Sequence, residues 1–246
     1  TDWTSTQGNL PGDSQKGDYF SFTAYDNSML IKAKDASTIG DTLTPLEDFT
    51  ISTTDSLSNT ALQALYKQVN SITDLPLTCK NGFKIKIIGD ADANQDDYYV
   101  EFQTSGGEEV GVGSWVECVG YNTEYSYNHT TLPHRLINSA PNTFTFEEVP
   151  WGEREAGDSE TNPFSSFEGQ QISGLFLYKN RLGFLSGSTV ILSEAGEFFN
   201  FFRKTVTTLL DSAPIDVSVS SSKVTNLKTA LGFQENLVMF SDKSQF

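Results

Sequence analysis

The segment between Trp151 and Phe202 constrains the fold of this 246-residue chain more than any other part of it. A loop rich in acidic residues and glycine leads there into three short apolar runs, Leu175–Tyr178, Leu182–Leu185 and Val190–Ser193, which turn residues separate. Apolar runs of about four residues between turn signals are typical of β-strands, and no helical spacing interrupts them. The segment therefore predicts a closely packed β-structure.

A short repeat extends this pattern to the end of the chain. Asn180–Ser186 aligns with Glu235–Ser241, so that Leu182 matches Leu237 at an offset of 55 residues. Repeats of about 40–50 residues that consist of short strands are typical of β-propeller blades. We therefore predict blades of a propeller over residues 150–246. Because the last residues lie inside an expected strand, we also expect this propeller to be incomplete.

Residues 1–149 predict a different architecture. The first 50 residues are difficult to interpret beyond two strands, Tyr19–Ala24 and Met29–Ala33, around a turn. From Phe83 to Ile87 apolar residues alternate with lysines, which predicts a half-buried strand with its lysines in water. Two further strands are predicted, Tyr98–Gln103 and Trp115–Val119.

One helix is predicted, and it lies between the two groups of strands. Ser58 or Asn59 can cap its N-terminus, and it has to end before Pro76, since a residue preceding proline avoids the helical region. Its apolar positions fall on one helical face: Ala61, Leu62, Leu65, Val69 and Ile72. We expect this face to pack on the neighbouring sheet.

The predicted fold class is therefore β-rich α+β. Residues 1–50 form an N-terminal β segment in this prediction, and residues 51–149 form a small domain with one helix on an antiparallel sheet. Residues 150–246 form the blades of an incomplete β-propeller.

The net charge of −16, from 32 acidic and 16 basic side chains, limits the partners of this chain. Tight binding of nucleic acid by counterion release needs clustered lysine and arginine, which the sequence lacks. Cys79 and Cys118 are too few for a disulfide framework, and we expect two thiols rather than a bridge. The first residues show neither a signal pattern nor an initiator methionine, so we expect this sequence to begin inside a longer or processed product.

The acidic loop between residues 90 and 101 has the spacing of a calcium-binding loop. The oxygen ligands would come from Asp90, Asp92, Asn94, Asp96 and Glu101. These residue types supply the hard oxygen atoms that calcium prefers. However, Gln95 stands where the sharp turn of such a loop needs glycine, and strands are expected on both sides. A solvated acidic loop is therefore favoured, with no cofactor predicted and calcium as the open alternative.

A second acidic cluster could in principle supply the paired carboxylates of a glycoside hydrolase. Its members are Glu147, Glu148, Glu153, Glu155, Asp158 and Glu160. A charged surface loop is the favoured interpretation, with Arg154 paired to one of these carboxylates. The sequence contains neither a nucleophile-elbow motif nor a phosphate-binding glycine loop, so no catalytic or cofactor-binding residue is predicted.

Two other groups of residues are expected to be structural. His129 and His134 are five residues apart, a separation that matches no common pattern of metal ligands. The aromatic run Phe198–Phe202 is expected in a core or a subunit contact, because a bare patch of this kind would aggregate.

Five segments resemble, in order, the tail tubular protein B or tail nozzle family of short-tailed bacteriophages. These segments are residues 74–102, 131–137, 151–169, 177–202 and 211–246. They include WGEREAGDSETNPFSSFEG in the acidic loop and LYKNRLGFLSGSTVILSEAGEFFNFF in the predicted strands. Together they cover about the last three-quarters of the chain, and residues 1 to about 50 match less clearly.

The resemblance implies a structural protein of the virion tail, assembled in the cytoplasm of the bacterial host, and not an enzyme. Six copies would form a ring that docks to an adaptor protein and tail fibres and lets phage DNA leave through its axis, without a small-molecule substrate. An acidic bore suits this role, since it repels phosphates and leaves the duplex free to slide. Four residues of the polar loop are interface candidates: Glu153, Arg154, Glu155 and Asp158. The alternatives are a tail-associated glycan-binding module, with or without calcium, and a hydrolase of cell wall or polysaccharide.

Overall fold

The computed structural model describes residues 20–25, 28–33, 51–57, 63–89, 97–220 and 225–246. Within these ranges the regular structure is almost entirely β, with two short 3-10 turns, Ile72–Asp74 and His129–Thr131, as the helical elements. No helix in the described part of the chain has the length and apolar character needed to cross a membrane. The β-rich part of the predicted fold class is therefore confirmed.

Fifteen strands account for this β-structure. They are β1 (Phe20–Tyr25), β2 (Ser28–Ala33), β3 (Gln68–Val69), β4 (Thr78–Lys80), β5 (Lys84–Ile87), β6 (Tyr98–Thr104), β7 (Val110–Cys118), β8 (His134–Ala140), β9 (Thr143–Glu148), β10 (Ile172–Tyr178), β11 (Arg181–Ser186), β12 (Thr189–Leu192), β13 (Ile215–Ser218), β14 (Leu227–Phe233) and β15 (Asn236–Ser241). The strands predicted from the sequence are all present, with ends that differ by a few residues. Strand β7 is the largest difference, since it begins five residues before the predicted Trp115.

The predicted helix is wrong over residues 63–72, and residues 58–62 lie outside the described residues. Strand β3 and a 3-10 turn take its place. Lys67 has a left-handed φ of 58°, which a helix cannot accommodate. The Ser71 hydroxyl then accepts a hydrogen bond of 3.2 Å from the Thr73 N–H and caps the short turn. Such a local bond competes with helix formation, and it removes the α+β character expected for this region.

Strands β3 to β7 form a five-stranded sheet in the order β3-β5-β6-β7-β4. The alternation predicted for β5 is confirmed, since Ile85 and Ile87 are both buried. The two lysines of this strand, Lys84 and Lys86, are not simply in water, which corrects the prediction. Lys84 lies 3.4 Å from a carboxylate oxygen of Glu101, and Lys86 lies 2.6 Å from Asp97. Both lysine side chains are half-buried, so each ion pair offsets the cost of partial desolvation.

The chain divides into two compact units. One unit contains residues 1–85 and 101–116, and the other contains residues 86–100 and 117–246. Strands β5, β6 and β7 contribute residues to both units, whereas β8 to β15 belong to the second one. The acidic loop, the cleft beside it and the β8–β9 hairpin described below all lie in this second unit.

The second unit contains a four-stranded antiparallel sheet, in which β10, β11, β12 and β13 follow one another as neighbours. Lys179 and Asn180 both have a left-handed φ and form the two-residue turn between β10 and β11. The repeat found in the sequence corresponds to hairpins, since β11 and β15 are each the return strand of a two-residue turn. Among the described residues one sheet has the four strands of a blade.

A separate hydrophobic core lies against each face of this sheet. One core is aromatic and combines Phe184 of β11 with Tyr127, Trp151, Phe167, Phe201 and Phe202. The rings of Phe184 and Phe201 stack at 5.5 Å between centroids, and the Phe167 ring meets both rings edge-on. Such pairs contribute about 0.5–1.5 kcal/mol each beyond the area that they bury. The burial predicted for the aromatic run is confirmed at its last two residues, while Phe198 is 39% exposed.

The opposite face packs against the β14–β15 hairpin. Leu185, Val190 and Leu192 of the sheet meet Leu227 and Ala230 of β14 in a second, aliphatic core. The central strand β11 is therefore covered on both faces, which explains why all six of its residues are buried.

The two cysteines do not form a disulfide with each other, as predicted. Both side chains are half-buried. Burial raises the pKa of the Cys79 thiol above its usual value, which makes the reactive thiolate scarcer at neutral pH.

Candidate functional site

The acidic loop after Trp151 carries the predicted interface residues, and several hydrogen bonds attach it to neighbouring segments. Trp151 anchors its start, since its ring is buried in the aromatic core. The N–H of Gly152 donates to the carbonyl of Phe199 at 2.8 Å. A Cβ atom on Gly152 would lie 2.7 Å from the side-chain oxygen of Asn200, so glycine is needed for this close approach. The loop thus leaves the core at a fixed point.

Arg154 holds the loop from inside. Its side chain is 3% exposed. Its Nε donates to the carbonyl of Asn162 at 2.8 Å, and one terminal nitrogen donates to the carbonyl of Glu124. Its own N–H donates to the carbonyl of Tyr125 at 2.6 Å. A single arginine therefore joins both ends of the loop to the preceding segment.

The partners of Arg154 differ from the carboxylate that we expected. The guanidinium group binds main-chain carbonyls and lies 4.7 Å and 5.0 Å from the ring centroids of Phe164 and Phe202. Burial lowers the pKa of Arg154 below its usual value, and neighbouring acidic groups oppose this effect. The side chain nevertheless stays protonated at any physiological pH. Carbonyl dipoles and aromatic faces thus stabilise this buried charge.

Asp158 closes a tight turn within the loop. Its Oδ1 accepts hydrogen bonds from the N–H groups of Glu160 and Thr161, both at 3.0 Å, and from the Thr161 hydroxyl at 3.1 Å. Burial alone would raise the pKa of Asp158, but these hydrogen bonds outweigh it and the pKa lies below its usual value. A general acid needs the opposite shift, so this carboxyl group is poorly suited to protonate a glycosidic oxygen.

Asn162 and Gly157 complete the attachment of the loop. The Asn162 amide donates to the carbonyls of Ala156 and Arg203 and accepts from the Arg203 N–H, each at 2.9 Å. Gly157 adopts a φ of 75°, and its N–H donates to the carbonyl of Cys118 at 3.1 Å. Two neighbouring segments therefore hold the loop, one through the Asn162 side chain and the other through the main chain of Gly157.

The four interface candidates do not share one environment. Glu153 and Glu155 are exposed, Asp158 is half-buried and Arg154 is buried. The exposed carboxylates are therefore accessible to a partner or to DNA, whereas Arg154 and Asp158 fix the shape of the loop. The sequence WGER places Arg154 three residues after a tryptophan, which hints that this arginine lies near the core. The pattern does not reveal which carbonyls the arginine binds.

A cleft of about 670 Å³ lies beside the loop. It is lined by Lys86, Tyr99, Tyr121, Asn122, Thr123, Glu124, Arg154, Asp158, Ser159, Glu160 and Phe164. Lys86 is paired with Asp97 within the same unit. Burial would lower the pKa of Lys86, but the ion pair outweighs it and raises the pKa. The Lys86 ammonium group thus already has a carboxylate partner in Asp97.

The proposed calcium ligands can be placed only in part. Residues 90–96 lie outside the described residues, and with them four of the five candidates. Glu101 lies on β6 and forms an ion pair with Lys84. No group of three or more potential metal ligands occurs in the part of the chain that the structure describes. The His134 ring stacks on Phe146 at 5.2 Å between centroids, which agrees with a structural role for this histidine.

The β8–β9 hairpin carries an exposed apolar surface that was not predicted from the sequence. This two-stranded sheet places Leu136 opposite Phe146 and Asn138 opposite Phe144. The three apolar side chains lie on the same side and are 65%, 70% and 61% exposed, in the order Leu136, Phe146, Phe144. We call them, with Asn138, the hairpin face. The alternation Phe144, Thr145, Phe146 was the available signal, and it gave no indication of which side would be covered.

Comparison with known proteins identifies the family. A model of the bacteriophage nozzle protein family matches residues 7–246. The tail tubular protein gp12 of Escherichia phage T7 is 37% identical over 201 residues, which make up 82% of this chain and 24% of the relative. The chain thus spans about a quarter of the length of the curated relative that it matches. These matches confirm the resemblance found in the sequence: the chain belongs to the bacteriophage nozzle protein family.

Proposed function

We propose that this protein is a structural, non-enzymatic component of the tail of a short-tailed bacteriophage. The observation that carries the proposal is the match of a nozzle family model to residues 7–246. The environment of the acidic loop supports it, since the polar side chains there hold main-chain groups in place. Arg154 and Asp158 act on the shape of the loop and not on a bound reactant.

In this proposal several copies, six in a complete ring, surround the path by which phage DNA leaves the particle. The net charge of −16 supports a conduit, since a negative wall repels phosphates and does not retain the duplex. Glu153 and Glu155 are candidates for such a wall because they are exposed on a loop of fixed shape. An adaptor protein and tail fibres are the proposed neighbours of the ring.

We also propose that the β10–β13 sheet is one blade of a propeller. Its four consecutive antiparallel strands support this, as does the β14–β15 hairpin, which repeats the β10–β11 hairpin and packs on its face. In a propeller, successive blades pack face to face in the same way. Strands that complete the β14–β15 blade would then come from further parts of the phage protein.

The location of the protein can be tested directly on virions. Antibodies against this chain, visualised by immunoelectron microscopy, are expected to label the tail and to leave the capsid unlabelled. Antibodies against the major capsid protein serve as the control for accessibility. Label on the capsid shell, or particles without any label after the tails have been exposed by mild disruption, would contradict the proposal.

A glycan-binding module is the second candidate, and the cleft beside the acidic loop is the observation that favours it. Tyr99 and Tyr121 form an edge-to-face pair at 5.6 Å there, and polar side chains surround them. Aromatic rings with polar neighbours suit sugar rings. Binding on an array of bacterial glycans that Tyr121→Ala abolishes would support this candidate, while an array without any bound glycan would eliminate it.

A further inference from the structure

We propose that the hairpin face on β8 and β9 is a contact surface for a second copy of this chain in the assembled tail. The inference rests on the proposed function in one respect, namely that the tail contains several copies of the protein. It names a surface different from the acidic loop, and it assigns a partner to that surface.

The geometry of the hairpin requires an explanation. Within the described residues, strands β8 and β9 pair only with each other, and a two-stranded hairpin alone is marginally stable in water. Its inner side is attached to the core: Arg135 pairs with Glu147 and lies 5.9 Å from the ring centroid of Phe199. Its outer side presents Leu136, Phe144 and Phe146 to solvent. Three large apolar side chains that adjoin on one exposed face mark an interaction site.

The charge distribution indicates what this site can contact. Residues 136–146 contain no charged side chain, although charged residues make up 20% of the chain. The nearest charged residue in β9 on this side is Glu148, which pairs with His134 at the end of the hairpin away from its turn. Copies of a chain with a net charge of −16 repel one another, so a surface without charged side chains is one on which they can meet at low electrostatic cost. A basic partner, by contrast, would be expected to face carboxylates.

The same unit offers a second apolar patch to complete such a contact. Leu175 and Leu177 of β10 are 66% and 67% exposed on its surface. Ring assembly uses heterologous contacts, in which a patch on one copy meets a different patch on the next. The unit therefore offers two separate apolar patches that can meet in such a head-to-tail contact.

Site-specific photocrosslinking in assembled tails tests the inference. The photoreactive residue p-benzoylphenylalanine replaces Phe144, which adds one ring to the existing side chain, and purified virions are irradiated. We expect a product of twice the subunit mass. In it, the hairpin peptide of one copy is joined to a peptide from a second copy of this protein. The same photoreactive residue at Leu209, which is 72% exposed in a loop, is the matched control and is expected to leave the subunit uncrosslinked.

Each other outcome would overturn the inference. A product with a different tail protein identifies that protein as the partner, and an internal crosslink without a change in mass shows that the rest of the same polypeptide covers the face. If the Phe144 variant fails to assemble, the photoreactive residue is moved to Asn138 on the same face. Absence of the dimeric product in assembled tails that carry the Asn138 variant then excludes a second copy. A Phe146→Asp change beside the photoreactive residue is expected to abolish the dimeric product.

The failure of this inference can be distinguished from the failure of the proposed function. Tails that bind the antibody but give no dimeric product refute only the contact. Tails that lack the chain refute the proposed function itself.

Discussion

The Nε atom of Arg154 donates a hydrogen bond of 2.8 Å to the main-chain carbonyl of Asn162, and this bond closes the acidic loop on itself. The guanidinium group is the right shape for this task, because its planar fork reaches carbonyls in two directions while its faces lie on aromatic rings.

Arg154→Lys is therefore expected to destabilise the fold although it keeps the charge. An ammonium group cannot reach both carbonyls or stack on Phe164, and it would remain buried. We expect a loss of about 2–3 kcal/mol in the free energy of unfolding. Urea denaturation followed by tryptophan fluorescence measures it. Arg203→Lys, at an exposed side chain of the same unit, is the matched control and should change stability by less than about 0.5 kcal/mol.

Alanine substitutions at two glycines with similar φ values can distinguish the cost of a left-handed backbone from the cost of steric crowding. Gly157 and Gly169 have φ values of 75° and 65°. A Cβ atom on Gly157 would lie 2.6 Å from the Thr161 hydroxyl and 2.7 Å from a Val206 methyl, whereas nothing lies within 4 Å of one on Gly169. Gly169→Ala should cost about 1 kcal/mol from the left-handed backbone alone. Gly157→Ala should cost about 1–3 kcal/mol more because of crowding. Equal thermal shifts in the two variants would contradict this.

The carboxyl group of Asp158 predicts a dependence of stability on pH. Its pKa is lowered in the folded protein, so the ionised form stabilises the fold at pH values above the unfolded pKa of about 3.9. This contribution is lost as pH falls through the folded pKa. Asp158→Asn keeps an oxygen acceptor and removes the charge. The variant should be less stable than the parent protein at pH 7, and the difference should shrink at pH 3.

Urea unfolding at both pH values gives this comparison. Glu153→Gln, which removes one exposed negative charge from the same loop, controls for the change in net charge. A difference between Asp158→Asn and the parent protein that is the same at pH 7 and pH 3 would refute the role assigned to the carboxylate.

Charge reversal on the acidic loop tests the conduit. Glu153→Lys together with Glu155→Lys should slow the release of DNA from virions, since basic side chains retain phosphates. The neutral double variant Glu153→Gln with Glu155→Gln is the control and should stay closer to the parent rate. Asp158 is left unchanged, because replacing it would disturb the turn. Release is followed by an intercalating dye, and an unchanged rate at low salt would exclude these residues from the path.

The calcium alternative is tested by calorimetric titration. Glu101 already pairs with Lys84 at 3.4 Å, so recruiting it to a metal would break that ion pair. We therefore expect no heat of binding at millimolar calcium. A saturable heat that disappears in the double variant Asp90→Asn with Asp92→Asn would instead establish a site in the loop.

The sequence predicts the strands well where turn residues and apolar alternation agree. Ile85 and Ile87 are buried as expected, and Asn180 forms the turn that its position suggests. The helix failed because periodicity alone does not reveal the left-handed φ of Lys67 or the capping bond of Ser71. Local hydrogen bonds decided that segment against an apolar pattern that also suits a helix.

The sequence predicts where the candidate site lies, but not which contacts hold it in place. The composition of the loop indicates a charged surface, and Glu153 and Glu155 form one. Arg154 binds carbonyls that lie eight and thirty residues away, and no pattern along the chain identifies a main-chain acceptor at such separations. The hairpin face was missed for the same reason, because alternation shows that two sides differ but not which side a neighbour covers.

The attachment of the acidic loop through main-chain groups has an evolutionary consequence. Because Arg154 and Asn162 contact carbonyls and N–H groups, the path of the loop does not depend on which side chains stand at positions 153 and 155. Mutations at these two positions can change the charge of the loop while its scaffold stays intact. The fold should accordingly tolerate substitutions there more readily than at the residues that hold the loop.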